Sequence, residues 1–366
     1  MEFRILDKDL NWIGILDDIS SVQWLESYYD VGEVKIVAFY NSTNAALLVE
    51  HNYIYNPEIS DSIAEIIETE TVEGLESSIT ARARQSVARW DNRVVYGTEI
   101  ITSASDILSI ADKNRRGLSG NIGEAPVISF DTQKSWGTVL EVLTEILPSA
   151  GLGFEETFDS STKNLTLSIY GGIDRTSQQS DNYIGFLSTE IGSLKSLTIT
   201  KGAQEYKNVA IVGGQGEGTD RKIVTVSLAG DNPRREMWID ARDISKTYEK
   251  ATATGKVDEN GNPIYEYTES TYSDSEYELV LQSRGIEKLK EKMKTLEINA
   301  EVDSSAGITR ENLGDIFPVR SATFDILMSA RITEILTVAE STGVRTEITL
   351  SEFNPIGSET YAGLSS

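Results

Sequence analysis

The segment Ile63-Ala-Glu-Ile-Ile67, which is followed by Gly74-Leu75 and then Ile79-Thr80, occurs a second time near the other end of the chain. The second copy reads Ile332-Thr-Glu-Ile-Leu336, Gly343-Val344 and Ile348-Thr349 at the same spacing. Residues 63–80 and 332–349 are therefore predicted to form the same β-hairpin twice, with Gly74 and Gly343 at equivalent turns. The identical positions are Ile63/Ile332, Glu65/Glu334, Ile66/Ile335, Gly74/Gly343, Ile79/Ile348 and Thr80/Thr349.

A second match lies upstream of each copy, in the same order. Ser21-Val-Gln-Trp24 and Val34-Lys-Ile-Val37 align with Ser196-Leu-Thr-Ile199 and Val209-Ala-Ile-Val212. Two collinear matches favour an internal duplication, and a duplicated β-unit indicates symmetric assembly rather than a catalytic cleft. The alternative is coincidental strand patterning, which β-rich chains commonly show.

Composition restricts the class of protein. The 366 residues are 39% apolar, which is enough for two or three domains. The net charge of −25 would repel a phosphate backbone or an anionic bilayer, so protein or cationic partners are expected. The absence of cysteine excludes thiol catalysis, disulfides and cysteine zinc sites. The chain begins without a signal-peptide pattern and has no apolar run of about 20 residues, so we expect synthesis in the cytoplasm and no stable membrane insertion.

The pattern along the chain predicts a mainly β fold with α+β insertions. Residues 1–98 read as the strands of a first small barrel or sandwich, and residues 191–366 return to the same pattern. Residues 99–190 are predicted to be an inserted α/β domain. A further insertion at about 213–310 separates the two repeated blocks of the second unit. It should contain hairpins, one of them turning at Asn260-Gly261, and a helix over 273–296.

Three helices are predicted from capping and periodicity. Ser103-Ala-Ser-Asp106 is a capping box for a helix that Gly117 would end, and apolar spacing predicts a second helix over 135–147, before Pro148. Ser273-Asp-Ser-Glu276 opens the third, whose stripe faces its own domain or a partner subunit. Its members are Leu281, Ile286, Leu289, Met293 and Leu296.

No set of residues suits catalysis, a cofactor or a metal. Any histidine-based site would have to use His51, the only histidine, which reads as a surface or structural residue. The cluster Gly213-Gly-Gln-Gly-Glu-Gly218 lacks the dinucleotide-loop spacing and precedes a strand, so it reads as a hairpin loop. Asp258-Glu-Asn-Gly-Asn-Pro263 departs from a calcium loop and reads as a turn.

The charged motifs are interpreted in the same way. The carboxylate pairs Asp17-Asp18 and Glu155-Glu156 could serve a glycosidase, but they are expected among 58 acidic residues and read as solvated surface. A basic run is typical of an ion-paired interface with acidic neighbours. It consists of Arg82, Arg84, Arg89 and Arg93.

Two motifs near the C-terminal end carry a family resemblance. Glu311-Asn-Leu-Gly-Asp315-Ile316 is followed by Ser329-Ala-Arg-Ile-Thr-Glu-Ile335 and by Val338-Ala-Glu340. Together with the duplication, they make the chain similar to the baseplate hub, or tail-associated protein, of long-tailed phages and prophages that infect Gram-positive bacteria. The similarity extends over nearly all of residues 1–355.

The resemblance implies a specific assembly. Two tube-like barrels per subunit, at 1–98 and 191–366, and three subunits per ring would give a pseudo-sixfold surface that continues a hexameric tail tube at the virion tail tip. The implied partners are the distal tail protein, the tail tube, the tape-measure protein and receptor-binding or fibre proteins. No nucleic acid is bound specifically, and no catalytic, cofactor or metal residue is implied. Many members carry a C-terminal extension, so a chain ending at Ser366 reads as a short hub or a shortened form.

Two other functions remain open at this stage. One is a tail-associated cell-wall hydrolase that uses a carboxylate pair, and the other is a β-rich carbohydrate-binding module. Turnover of peptidoglycan distinguishes the hydrolase from a structural hub.

Overall fold

The structure is a computed structural model that describes residues 1–228, 233–257, 263–290, 292 and 295–352. Its strands are β1 (Arg4–Leu6), β2 (Trp12–Ile15), β3 (Ile19–Ser27), β4 (Glu33–Phe39), β5 (Tyr53–Tyr55), β6 (Ala64–Val72), β7 (Ser78–Gln85), β8 (Thr98–Ser103), β9 (Asn121–Ile122), β10 (Ser129–Ser135), β11 (Leu152–Asp159), β12 (Asn164–Gly171), β13 (Leu187–Ser188), β14 (Leu194–Gly202), β15 (Val209–Gly213), β16 (Ile223–Ser227), β17 (Glu236–Asp240), β18 (Thr247–Val257), β19 (Pro263–Thr271), β20 (Thr295–Val302), β21 (Ile316–Ser321), β22 (Ile326–Glu340) and β23 (Gly343–Glu352). Its α-helices are α1 (Ser42–Leu47), α2 (Ala104–Lys113), α3 (Val139–Ile146) and α4 (Asp274–Lys290). Short 3-10 helices lie at Ser86–Asn92, Leu147–Ala150, Gly218–Asp220, Ser304–Ala306 and Arg310–Asn312.

The largest sheet contains thirteen strands and repeats one strand order. Its path runs β14-β20-β23-β22-β3-β4-β7-β6-β5-β1-β2, and β21 with β13 branches from β22. Each half contains four strands that can be numbered by their order in the sequence. In the sheet they lie side by side in the order first, second, fourth, third. The first half is β3-β4-β7-β6 and the second is β14-β20-β23-β22, so the two halves share one topology. They join where β22 pairs with β3 in antiparallel fashion.

The repeated segments form like hairpins, but the residue-by-residue alignment does not hold. β6 pairs with β7, and β22 pairs with β23, both antiparallel. Gly74 lies in the loop after β6, and Gly343 begins β23. However, Thr80 lies opposite Glu70, whereas Thr349 lies opposite Glu334. The two loops differ in length, and this length difference changes the register that the sequence identities implied.

One of the upstream matches was wrong. Ser196 to Ile199 lie in β14, which occupies the position of β3, as predicted. Val209–Gly213 does not occupy the position of β4, because it is the central strand of a separate sheet. The strand equivalent to β4 is β20, at Thr295–Val302. A four-residue apolar match could not distinguish one buried strand from another.

The predicted fold class, mainly β with helix-containing insertions, is confirmed. The described strands of the large sheet follow an open path from β14 to β2, so no closed barrel is found among them. Trp24, Ile36 and Ala81 lie on the core side of the first repeat, and each is fully buried. Ile5 of β1 and Ile54 of β5 belong to the same core cluster, as does Phe3, which directly precedes β1.

Residues 99–190 supply the helices predicted for them, but α2 ends at Lys113, before the predicted Gly117, and the start of α3 is shifted. α2 begins with the predicted capping box between Ser103 and Asp106. α3 begins at Val139 instead of residue 135, because Trp136 (φ +57°) and Gly137 (φ +83°) have left-handed backbone that a right-handed helix excludes. Thr138 is the N-cap in their place. β11 and β12 pair in antiparallel fashion.

By its contacts the chain divides into two units: Met1–Ile199 with Glu297–Ser366, and Thr200–Leu296. In the second unit the sheet β16-β15-β17 packs on α4 through Tyr277, Leu281 and Leu289. α4 has the predicted cap but ends at Lys290; Met293 lies outside the described residues and Leu296 lies in β20. β18 and β19 pair, and their turn at Asn260-Gly261 also lies outside the described residues. The division at residues 98 and 190 stays a prediction.

Candidate assembly surface

One face of the repeated sheet is lined by a row of mostly polar residues that crosses seven strands. Residues directly opposite one another in antiparallel strands share a face. The row therefore passes continuously from β20 to β6, across the joint between the two halves. Its members are Glu301, Glu347, Leu336, Leu25, Glu33, Arg84 and Glu65.

β14 continues this open face on the far side of β20. Ser196 and Thr198 line a shallow hollow of about 480 Å³ together with Leu25, Glu301 and Leu336. Leu197 and Ile199 alternate with Ser196 and Thr198 along β14 and therefore lie on the other face of the strand. The open face thus belongs to all eight strands of the two repeats.

Acidic residues outnumber basic ones on the open face. The row next to the first contains Arg345, Gln23, Lys35, Arg82 and Glu68. Arg82 and Glu68 form an ion pair at 3.2 Å, and Arg345 pairs with Glu347 at 2.9 Å. The acidic set is Glu33, Glu65, Glu68, Glu70, Glu301, Glu334, Glu340 and Glu347, against Lys35, Arg82, Arg84 and Arg345, together with Lys195 of β14, which pairs with Glu301 at 3.0 Å.

A β-bulge marks the same change of neighbour in both repeats. In β22 the register shifts between Ile332 and Glu334; Ile326–Arg331 pair with β21, and residues 334–340 pair with β3. In β6 the register shifts between Ile66 and Glu68, and the residues before the shift pair with β5. Among the described residues, the segment of β6 after its bulge has no strand neighbour on that side.

The family motifs form a buried joint between the strands and the 99–190 region. Asp315, only 1% exposed, accepts hydrogen bonds from the backbone N of Ile173 (2.7 Å) and from Arg175 Nε (2.6 Å). Tyr28 Oη donates to the carbonyl of Gly151 at 3.0 Å and accepts from the backbone N of Gly172 at 3.0 Å. These contacts join segments that are far apart in the sequence.

The same joint explains the glycine and arginine of the motifs. Gly314 has φ +88°, a backbone conformation that favours glycine, and a Cβ there would lie 2.2 Å from the Tyr28 ring. Both the backbone conformation and the lack of space therefore exclude a side chain at this position. Arg331 donates to the carbonyl of Gly314, and its guanidinium lies 5.3 Å from the centre of the Tyr28 ring. The motifs are therefore structural.

A polar cavity of about 260 Å³ lies beside this joint. Glu26 accepts hydrogen bonds from Ser60 Oγ and from Gln85 Nε2. Burial raises the pKa of Glu26 to about 7, against the effect of the hydrogen bond from Ser60 and of the charge of Arg310. Burial also raises the pKa of Glu155, while Arg310, which bridges Asp61 (2.9 Å) and Glu155 (3.3 Å), opposes the rise. Sequence reasoning missed Glu26, because a single glutamate in a strand gives no sign of its burial.

The candidate residues for catalysis or for binding a cofactor or metal do not lie together in one cleft. His51 is exposed, and its Nδ1 lies 2.8 Å from Glu65 Oε1; this contact raises the pKa of His51. Residues 213–218 enter a hairpin loop between β15 and β16, as predicted. Most of the segment 258–263 lies outside the described residues.

The interpretation of Glu155 and Glu156 as solvated surface was wrong for Glu156, and the two adjacent carboxylates point to different surroundings. Glu156 is 1% exposed and accepts from Arg89 (2.8 Å) and from Trp90 Nε1 (2.9 Å), whereas Glu155 lines the cavity. Asp17 and Asp18 are exposed. The four arginines of the basic run also have different surroundings. Arg82 and Arg89 form ion pairs, and Arg84 lies opposite Glu33 and Glu65 in the sheet. Arg93 donates to backbone carbonyls.

Two observations concern only the described part of the chain. None of its helices is both long and apolar enough to cross a bilayer. Within the same residues, no group of three or more histidine, aspartate or glutamate side chains is arranged to hold a metal ion.

Comparison with solved structures shows the fold in two tail proteins. The prophage MuSo2 43 kDa tail protein from Shewanella oneidensis has a TM-score of 0.58 at 13% identity, with 96% of this chain and 98% of that chain covered. The tail protein from Neisseria meningitidis MC58 has a TM-score of 0.55 at 12% identity, with 96% and 97% covered. No curated protein matches the sequence.

A family comparison identifies the group to which the sequence belongs. The model for the family described as Siphovirus ReqiPepy6 Gp37-like protein matches residues 2–90 and 108–350. That match includes both repeated hairpins and the buried Asp315 joint. The resemblance to tail proteins of long-tailed phages and prophages is thereby confirmed, and the chain belongs to the Siphovirus ReqiPepy6 Gp37-like family.

Proposed function

We propose that this protein is a structural hub of a phage tail tip, which forms a homotrimeric ring with pseudo-sixfold symmetry. The observation that carries the proposal is the repeated strand order β14-β20-β23-β22 and β3-β4-β7-β6 within one continuous sheet. Two similar units per chain, repeated by a threefold axis, give six similar positions around a ring. Such a ring suits a sixfold tube on one side and threefold parts on the other.

The open face of the sheet is the better candidate for the channel wall. The core face of β3, β4 and β7 is covered by the chain's own residues, including Phe3, Ile5 and Ile54. This covered core face needs more space than the open face, and a ring offers more space on its outer surface than in its central channel. The row containing Glu301, Glu347 and Glu33 would then face the channel and repel the phosphates of a passing genome.

The proposed partners follow from this position at the tail tip. The ring would bind the tail tube and the distal tail protein above, contact the tape-measure protein, and anchor receptor-binding or fibre proteins below. It would act without catalysis. Glu155 and Glu156 point to different surroundings, and Glu156 already accepts hydrogen bonds from Arg89 and Trp90. These contacts argue against that pair as the catalytic carboxylates of a cell-wall hydrolase.

The mass of the protein in solution tests the proposal. Light scattering with size-exclusion chromatography should give about three times the 40.3 kDa monomer mass. A protein that remains monomeric at high micromolar concentration contradicts the homotrimer. Release of soluble fragments from purified peptidoglycan would instead favour the hydrolase, and Asp17→Asn with Asp18→Asn would test the remaining carboxylate pair.

A further inference from the structure

We infer that the free segment of β6 in one protomer pairs with β14 of the next, in the register that β22 and β3 use inside the chain. This inference rests on the proposed ring and specifies its subunit contact. Both edges belong to the repeated sheet: β14 ends its path on one side, and β6 lies at the opposite end of the two repeats. The occupant of each edge is thus a second copy of this chain.

The internal joint supplies the template. β22 and β3 pair over seven positions, which include Leu336 opposite Leu25 and Val338 opposite Gln23. β6 occupies in the first repeat the place of β22 in the second, and β14 occupies the place of β3. A joint between β6 and a neighbour's β14 would continue the sheet by the same rule, and three such joints would close the ring.

The bulges fix the alignment of β6 with β22. In each strand, the residues before the bulge pair with a short strand, β5 or β21, and only those after it are available to the next unit. Aligning the bulges puts Glu68 at the position of Glu334 and Val72 at that of Val338. The sequence match of Ser21 with Ser196 puts Thr198 at the position of Gln23. Val72 should therefore lie opposite Thr198.

The two free edges also carry opposite charge. The free part of β6 and its loop contain Glu68, Glu70, Glu73 and Glu76 with no basic residue, whereas β14 contains Lys195 and Lys201 with no acidic residue. Within the chain, Glu68 is paired with Arg82 and Lys195 with Glu301, so Glu70, Glu73, Glu76 and Lys201 carry most of the difference. Like charges disfavour β6 with β6 and β14 with β14, so the charges select the head-to-tail pairing that a ring requires. Val72, 50% exposed, would be covered by the new neighbour.

Engineered disulfides test the register, because the natural chain has no cysteine. Residues opposite in an antiparallel pair have Cα atoms about 4.5–5.5 Å apart, within the range of a disulfide. The variant Val72→Cys with Thr198→Cys should oxidise to a covalent trimer, which a reducing agent returns to monomer on a denaturing gel. Each single variant should remain monomeric on that gel.

Two further variants make the outcome specific. Gln23→Cys with Val338→Cys, the internal counterpart, should form a disulfide within one chain. Val72→Cys with Ser196→Cys, two residues out of register, should cross-link at least tenfold more slowly. The reduced protein could have the trimer mass while Val72 and Thr198 fail to cross-link, or cross-link no faster than the shifted pair. That result would overturn the β6–β14 contact and leave the proposed trimeric hub uncontradicted. A monomer mass overturns the hub as well.

Discussion

Single residues in this protein hold together segments that are far apart in the sequence. Asp315 binds Ile173 and Arg175, and Tyr28 binds Gly151 and Gly172, across more than 120 intervening residues. The motif residues could be recognised from the sequence as a family signature, but their partners could not, because no local pattern encodes a contact over that separation. Glu26 was missed for the same reason.

The buried Asp315 makes a first prediction. Asp315→Asn removes the charge that pairs with Arg175 and should lower the free energy of unfolding by about 3 kcal/mol, as expected when a buried ion pair loses one partner. Chemical denaturation measures the loss. Asp325→Asn is the matched control, since Asp325 is an exposed turn residue with φ +52°, a conformation that asparagine also accepts. Equal losses in the two variants would contradict the assigned role of Asp315.

The raised pKa of Glu26 makes a second prediction. The folded state keeps the proton up to about pH 7, whereas the unfolded chain loses it near pH 4.5. The stability due to the protonated form is therefore complete below pH 4.5 and is lost as pH rises to about 7, by up to about 3 kcal/mol.

Thermal or denaturant unfolding between pH 4.5 and pH 8 would measure this change. Glu26→Gln should remove most of the slope, because the amide imitates the protonated carboxyl. Glu58→Gln, at an exposed position, should leave the slope unchanged. A slope that persists in Glu26→Gln would assign the effect to another group.

At the scale of elements, patterning located most strands and the caps of α2 and α4, but not the start of α3. The apolar spacing continues through Trp136, and nothing in that spacing reports the positive φ of Trp136 and Gly137. The assignment of Val209–Gly213 to the second repeat failed similarly. Its apolar alternation is that of any buried strand, and only the pairing with β16 and β17 places it.

The start of α3 makes a third prediction. Gly137→Ala puts a Cβ into a left-handed conformation, 2.2 Å from the Glu141 carboxylate that caps the backbone N of Thr138. The variant should lose about 1–3 kcal/mol of stability, through backbone strain and a weakened cap. Gly74→Ala is the control, because a Cβ added at Gly74 would have no atom within 4 Å and the φ of Gly74 is not positive. A melting temperature unchanged in Gly137→Ala would refute this account.

For the whole molecule, the duplication and the family were predictable from the sequence, whereas the continuous sheet was not. Continuity depends on the pairing of β22 with β3, which are separated by some 300 residues. It also brings Glu301 and Glu347 into one row with Glu33, a distribution of charge that composition alone cannot give.

That distribution makes a fourth prediction. The purified protein should show no DNA binding at physiological salt in a gel-shift assay. The triple variant Glu301→Lys, Glu334→Lys and Glu347→Lys should bind DNA weakly, with an affinity that falls as salt rises, because it reverses the charge of one stretch of the open face. Reversing three exposed glutamates outside the eight strands of that face, Glu2, Glu58 and Glu145, controls for net charge. If the control binds DNA equally well, the open face has no special part in repelling it.

The unequal loops of the two hairpins have a consequence for symmetry. β6 and β7 are joined by five residues, 73–77, with Leu75 fully exposed, whereas β22 and β23 are joined by only two, 341–342. Around the proposed trimeric ring, long and short tips would alternate at one rim. A sixfold component could rest on all six through the shared backbone, and a threefold component could recognise only the three that carry Leu75. One uneven gene duplication would thus convert six equivalent places into two sets of three, which is what a joint between parts of different rotational order requires.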